Sequence, residues 1–422
     1  MNRRYFLGSA VSAAVSIRGA RAAADAVRVA IIGVGGRGRA LAGVFAKQQA
    51  ASIDYLVEVD ENLLGPTVQV IEKAGRKIPK TTSDMRRVFD DKAIDAVVIA
   101  TPDHWHAPAA IMACDAGKDV YLEKPCAHNV REGRLVVEAA RRNGRIVQHG
   151  TQARSRGITR KAIEHVHAGK LGKVVMAKAW NVQKRDYIGH KEDGPVPRGV
   201  DYDTWIGPAV WKPFNENHFH YKWHWHWNFG TGDIGNDGTH QIDMARWALG
   251  VETPVEVAGS ARKLFFDDDQ QTPDTMNITY NYPGKQLQFE MRIWNPYGME
   301  GAENGVAVYG SDALLQIAKW SRVWGFKVFD QKGKLVAHEE AQGEDEEHIA
   351  NFLACVRSRK APNAEIEVGY RSVLHCHLGN IVARTGRTIR FDAATESIPG
   401  DAEADRLLSR EYRDHWGKPK SV

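Results

Sequence analysis

Four short runs carry residue types that can do chemistry. Gly33, Gly35 and Gly38 stand at the spacing GxGxxG within Gly33-Val34-Gly35-Gly36-Arg37-Gly38, directly after the β-branched run Val29–Ile32. The first glycine permits a tight turn, the second lets backbone approach a pyrophosphate, and the third lets helix and strand pack. Gly36 and Arg37 open the helix, whose N-terminal amides would donate to the phosphates. Glu58 falls 20 residues after Gly38, with Asp60 just beyond. An acid there hydrogen-bonds the adenosine ribose hydroxyls and repels the extra phosphate of NADP, so the pattern favours NAD. Thr101-Pro102-Asp103-His104-Trp105-His106 follows another apolar run, where Thr101, Pro102 and His106 would line the ligand crevice. His106 is equally suited to be a helix-start residue bonded to backbone. Tyr121-Leu122-Glu123-Lys124-Pro125 is the most specific short motif. Its Lys124 can hydrogen-bond a reacting hydroxyl and stabilise a developing alkoxide, Glu123 lies beside the cofactor, and Pro125 is suited to a cis peptide.

Those motifs need strands to carry them and helices to follow. The runs Val29–Ile32, Ile53–Val59, Ala96–Ala100, Val120–Leu122 and Ile146–Gln148 alternate with helical patterns at Arg37–Gln48, Glu61–Ala74, Pro108–Ala116 and Val130–Asn143. Strands that alternate with helices predict a doubly wound parallel sheet. Beyond Gly150 a helix is predicted over Gly157–Ala168. Strands follow at Val174–Val182, Val255–Arg262, Met276–Tyr282, Leu287–Ile293, Val306–Tyr309 and Val323–Phe329, then helices at Asp345–Arg357 and Val368–Arg384. This predicts a mostly antiparallel open sheet with one exposed face. The fold class is therefore α/β, with residues 25–150 as the nucleotide domain and 151–422 as the second domain, its C-terminal helices free to pack back on the first.

Residues 1–24 read as an export segment. Asn2-Arg3-Arg4-Tyr5-Phe6-Leu7-Gly8 has the form of a twin-arginine signal, and Leu7–Ile17 is too short and polar to span a bilayer. The expected location is the periplasm. A route for folded proteins would carry a cofactor bound beforehand. The formal net charge is +5, and Arg3, Arg4, Arg18 and Arg21 all lie in this segment. The remainder is close to balance, which argues against nucleic-acid or anionic-membrane binding. The four cysteines are too few and too scattered for a disulfide framework, and buried thiols are expected.

Trp223-His224-Trp225-His226-Trp227, with His218 and His220 upstream, is the oddest composition in the chain. Alternation at period two would put indoles on one side, with Trp225 and Trp227 either as platforms for sugar faces or as core. No CxxC or HExxH accompanies the histidines, so no metal is expected.

The order GxGxxG, acid after the second strand, TPxxxH and EKP resembles the Gfo/Idh/MocA oxidoreductases, over essentially all of residues 27–395. The stretch Gly369-Tyr370-Arg371-Ser372 to Leu378-Gly379-Asn380-Ile381 is similar to exported members. The resemblance implies a Rossmann domain, a second α/β domain, a dimeric or tetrameric assembly, and NAD(P)-dependent chemistry on sugars, cyclitols or related polyols. Gly232-Asp233-Ile234-Gly235-Asn236-Asp237-Gly238-Thr239-His240-Gln241-Ile242-Asp243 is similar to the family's DxGxHxxD segment. That match puts His240 at the proton-transfer position, with Asp243 placed to orient it or cap the helix. The family often has an acid where this chain has Asn236, and Asp233 or Asp237 is placed to compensate. Arg154 and Gln152 suit either the crevice, where Arg154, Asn236 and Asp237 would touch substrate, or bonds between domains. The leading expectation is hydride transfer between a tightly held nicotinamide and a carbohydrate or polyol hydroxyl. The alternatives are glycoside cleavage by transient oxidation and elimination, and a non-catalytic sugar-binding protein with structural NAD.

Overall fold

The computed structural model describes residues 26–295, 297–342 and 345–420; residues 1–24, expected to be an export segment, lie outside them. Six parallel strands form the first sheet: β1 (Val27–Ile32), β2 (Ala51–Val57), β3 (Lys80–Thr82), β4 (Ala96–Ile99), β5 (Asp119–Leu122) and β6 (Val147–His149), in the order β3-β2-β1-β4-β5-β6. The central strands β1, β4 and β5 are apolar apart from Arg28 and Asp119 near their starts, because helices cover both faces. The order reverses between β1 and β4, and a ligand crevice opens at that switch point.

Helices α1 (Gly36–Lys47) and α2 (Leu64–Lys73) lie on one face, and α3 (Asp103–Asp115) and α4 (Val130–Arg142) on the other. Helix α3 starts five residues before the expected Pro108. Proline inside a helix leaves the carbonyl four residues back without its amide. That carbonyl, of His104, instead accepts from Arg410 Nη2 at 2.8 Å. The expected helix over Glu61–Ala74 opens as a 3-10 turn at Glu61–Leu63, capped by Asp60, before α2 begins.

After α5 (Gly157–His167) comes a nine-stranded sheet built from β7 (Val174–Asn181), β8 (Glu256–Arg262), β9 (Thr275–Tyr282), β10 (Lys285–Arg292), β11 (Asn304–Gly310), β12 (Ala313–Trp320), β13 (Val323–Asp330), β14 (Leu335–Ala341) and β15 (Ile389–Arg390). Its order is β14-β13-β12-β11-β7-β10-β9-β8-β15, and only β7 and β10 pair in parallel. Strands β9 and β10 alternate buried and partly exposed residues, so one face packs on α6 (Thr239–Leu249) and its neighbours and the other stays open. Strands β12 and β14 were not expected from the sequence. The first buries Leu315–Ala318 without alternation, and the second is an exposed edge.

Helix α7 (Asp345–Ser358) returns to the first domain. Ile349, Phe352 and Leu353 share a core with Leu41, Phe45 and Tyr121. The last long helix, α8 (Ile366–Thr385), packs along α4, α6 and β8.

Between β7 and α6 runs an irregular strap, residues 182–233. It crosses the end of β2, where Asp201 N donates to Val59 O at 2.8 Å and Glu61 N to Gly199 O at 3.0 Å. Asn62 Nδ2 donates to Arg198 O at 3.2 Å, and His220 Nε2 lies 3.0 Å from an Asp60 carboxylate oxygen. Gly199 has φ +83°, and a Cβ there would meet the Glu61 carboxylate at 2.4 Å.

Candidate active site

The cleft at the switch point has a volume of about 580 Å³. Its floor is the glycine turn. Gly33 has φ +81°, and a Cβ there would lie 2.7 Å from Ala100 O. A Cβ on Gly38 would lie 1.9 Å from Gly33 O, so both positions demand glycine. Gly35 meets only Leu63 Cδ1 at 3.9 Å and Gly36 meets nothing within 4 Å. The turn is thus tight underneath and open above, and no side chain caps the start of α1. That cradle, with bare amides at a helix N-terminus, fits a pyrophosphate.

Of the two acids after β2, Glu58 lines the cleft and Asp60 does not. Glu58 accepts from Val34 N at 2.8 Å and Val59 N at 2.9 Å, and burial raises its carboxyl above the ordinary value. Asp60 is spent on capping Asn62 and on His220 in the strap, which moves it out of the expected ribose-binding role.

Thr101, Pro102 and His106 line the next wall. His106 ties two loops together, with Nδ1 2.6 Å from Pro125 O and Nε2 2.8 Å from Thr101 O. The backbone-bonded alternative therefore describes its hydrogen bonds. The Lys124–Pro125 peptide is cis. Glu123 receives Arg37 Nε at 2.7 Å and Gln152 Nε2 at 3.3 Å. Burial alone would raise its carboxyl, but Arg37 and then Lys124 outweigh it and hold it at about 2. Arg37 also reaches Asp345 of α7 at 2.6 Å, so this guanidinium bridges the two halves of the chain.

Lys124 points its ammonium at one residue. Nζ donates to Asn236 O at 2.6 Å and to Asn236 Oδ1 at 2.9 Å. Asn236 stands in a π-turn, Ile234–Gly238, at the entry to α6; such turns cluster at functional sites. His240, half-buried one turn on, is lowered to about 4 by burial and by Lys124, against the opposing pull of Asp237 and Glu123. It is neutral at neutral pH and lies within Coulombic reach of Lys124, but it is not among the residues that line the cleft.

Several expected residues have other partners. Asp243 does not hold His240. Its carboxylate receives Arg154 Nε at 2.9 Å and Ser372 Oγ at 2.6 Å, fully buried. Burial would raise that carboxyl, but Arg154 and Arg246 hold it below the ordinary value. Arg154, which also lies over Trp247, ties the start of the second domain to α6 and is absent from the cleft wall. Asp237 pairs with Arg185, which also contacts Asp233 at 3.0 Å. The tryptophan run is a 3-10 turn, His220–Trp225, and not a strand, so period two fails. Trp225 is buried and Trp227 lies under Arg384, while Tyr221, Trp223 and His224 face the cleft. Tyr221, Trp223 and Arg185 are the residues that sequence reasoning missed. The aromatic run marked the place but not the turn geometry, and nothing local marked Arg185.

The four cysteines are free and buried. Among the described residues no three His, Cys, Asp or Glu side chains gather to hold a metal, and no helix is long and apolar enough to cross a membrane.

Comparison with known proteins gives two family matches: the oxidoreductase-family NAD-binding Rossmann fold over residues 27–151, and the oxidoreductase-family C-terminal alpha/beta domain over 158–288 and 326–418. A glycosyl hydrolase family 109 protein of Stenotrophomonas maltophilia (strain K279a) is 29% identical over 50% of this chain and 48% of that protein. The scyllo-inositol 2-dehydrogenase (NAD(+)) of Bacillus subtilis (strain 168) is 32% identical over 36% of this chain and 44% of that protein. The chain thus spans about half the length of the curated relatives it matches. The crystal structure of aldose-aldose oxidoreductase from Caulobacter crescentus superposes with a TM-score of 0.66 at 20% identity, covering 87% of this chain and 100% of that one.

Proposed function

Because the chain belongs to the Gfo/Idh/MocA oxidoreductase family, we propose that it transfers hydride between a retained NAD and a sugar, cyclitol or related polyol hydroxyl. The observation that carries this reading is the Lys124 ammonium on the cleft wall, with His240 behind the lining residues and within Coulombic reach. The Lys124 ammonium has two of its three N–H bonds on Asn236, and a neutral His240 lies in its field. The third N–H is left for a substrate oxygen. His240 accepts the hydroxyl proton at an imidazole nitrogen as the carbon is oxidised, and Lys124 stabilises the negative charge that develops on the oxygen. The open glycine turn, the α1 N-terminus and Glu58 would hold NAD, which supplies the hydride acceptor. A carboxylate at Glu58 disfavours NADP.

Retention of the cofactor is supported by the strap. Its backbone bonds to Val59 and Glu61 and the His220–Asp60 contact close over the adenosine end of the cleft. Retention also suits the twin-arginine segment at residues 1–24, from which we infer export to the periplasm. The partly exposed outer face of the nine-stranded sheet supports assembly as a homo-oligomer.

The name of the Stenotrophomonas relative favours a second reading, in which the same oxidation makes an adjacent proton acidic, the aglycone leaves as an alcohol, water adds across the double bond so formed, and the NADH made in the first step reduces the carbonyl again. One experiment separates the readings. The purified protein is inspected for the reduced-nicotinamide absorbance band, then mixed with scyllo-inositol, glucose and a glycoside in turn. A lasting change in the band supports the oxidoreductase. Free sugar released with no net change supports the cleaving route. Binding without either, and equal binding by Lys124→Ala, would leave only a structural nucleotide.

A further inference from the structure

Where the family often has an acid, four residues before the histidine, this chain has Asn236, and a carboxylate stands one link further back. Asn236 Nδ2 donates to Asp233 Oδ1 at 2.9 Å, while Asn236 Oδ1 accepts from Lys124. Asp233 is fully buried and held from behind, with its other oxygen taking Asn181 Nδ2 at 2.6 Å and Oδ1 also taking Arg185 Nε at 3.1 Å. An asparagine amide can face either way. Turned over, it would set its NH₂ donors against an ammonium that has no acceptor. As a carboxylate Asp233 offers acceptors only, which suits the two donors behind it, Asn181 and Arg185, and the Asn236 NH₂ in front. The amide is thereby locked with oxygen toward Lys124.

We propose that Asp233 is a positioning residue that acts on Lys124 through Asn236, fixing two of the three ammonium protons so that the third faces the substrate. The inference deepens the proposed reading of the cleft and rests on it for the word substrate. The lock itself concerns only this chain's side chains, so it is tested without turnover.

The test is competitive acetylation of the purified protein with acetic anhydride, reading the rate at Lys124 by mass spectrometry against exposed lysines as internal standards. Asp233→Asn presents an amide to Asn181 and Arg185 and frees Asn236 to turn. A donor facing Lys124 favours the uncharged amine, so acetylation at Lys124 should rise at least fivefold. Asn236→Ala should give a similar rise. Because Asp233 works through Asn236, adding Asp233→Asn to Asn236→Ala should change the rate by less than twofold. The swap Asp233→Asn with Asn236→Asp, which moves the carboxylate to the lysine, should bring the rate back toward that of the unaltered protein. An unchanged rate in Asp233→Asn, or equal effects of Asp233→Asn with and without Asn236, overturns the proposal. Should Asp233→Asn fail to fold, Asn181→Ala releases the other carboxylate oxygen and reads the same coupling. A confirmed coupling in a protein that oxidises no alcohol would retire the enzymatic reading and leave the lock standing.

Discussion

At the scale of single residues, the site rests on a cation and a neutral base in one field. His240 is lowered to about 4, so the base is unprotonated throughout the neutral range. Its protonation should limit turnover only on the acid side, and the rate from pH 6 to 8 should be flat in the base. His240→Phe should cut kcat by roughly 100- to 10,000-fold while bound nucleotide stays at one per chain. Rate profiles and nucleotide content of that variant check this, and a drop in nucleotide without a drop in kcat would overturn it. Much of this was legible in the sequence, because Gly33, Gly38 and Lys124 act through local turn chemistry that spacing encodes. Asp243 was not. Its three-residue spacing from His240 suggests a shared helix face, yet its partner Arg154 comes from 89 residues upstream, and no local spacing records that.

At the scale of elements, α1 and the strap govern the nucleotide. Gly38→Ala would force a Cβ to 1.9 Å from Gly33 O, a clash on the order of 3 kcal/mol that the turn can relieve only by opening. The variant should purify without nucleotide and melt earlier. The strap should yield a subtler change. Removing the carboxylate in Asp60→Ala breaks the His220 contact and the cap on Asn62, so bound NAD should be lost about tenfold faster on gel filtration. Equal retention would deny the strap a holding role. The alternating strands and helices of the first domain were readable from apolar runs because each is buried on both faces. The strap was not, since it is held by backbone bonds to Val59 and Glu61, just past β2, that carry no side-chain pattern. For the same reason Trp223-His224-Trp225-His226-Trp227 reads as a strand, whereas a 3-10 turn sends Trp225 inward and Trp223 to the cleft.

At the scale of the whole molecule, buried imidazoles dominate the response to acid. His104, His128, His149, His224, His226, His240, His348, His375 and His377 are all lowered, burial being the largest cause in each. A lowered histidine stays neutral in the fold while the unfolded chain takes up a proton below pH 6.5. The unfolded state then binds more protons, and stability falls as pH drops from about 6.5 toward 4. Each such group contributes up to about 1.4 kcal/mol per pH unit in that window. Asp103, Glu58 and Asp233 are raised by burial and oppose the trend, but the lowered histidines outnumber them. Tm should therefore fall steeply between pH 6.5 and 5, and a flat melting temperature there would contradict the burial of these rings.

Helix α7 sets an order on biosynthesis. Phe352 meets Phe45 at 6.4 Å and Tyr121 at 5.8 Å between ring centroids, so the nucleotide half is closed by a segment encoded far downstream. A nascent chain that has reached only Gly150 exposes that aromatic face to the ribosome's surroundings. Holdase chaperones should engage it there and release it only after Ser358 has emerged, and nucleotide capture should follow completion of translation. A fragment ending at Gly150 should accordingly aggregate when expressed alone.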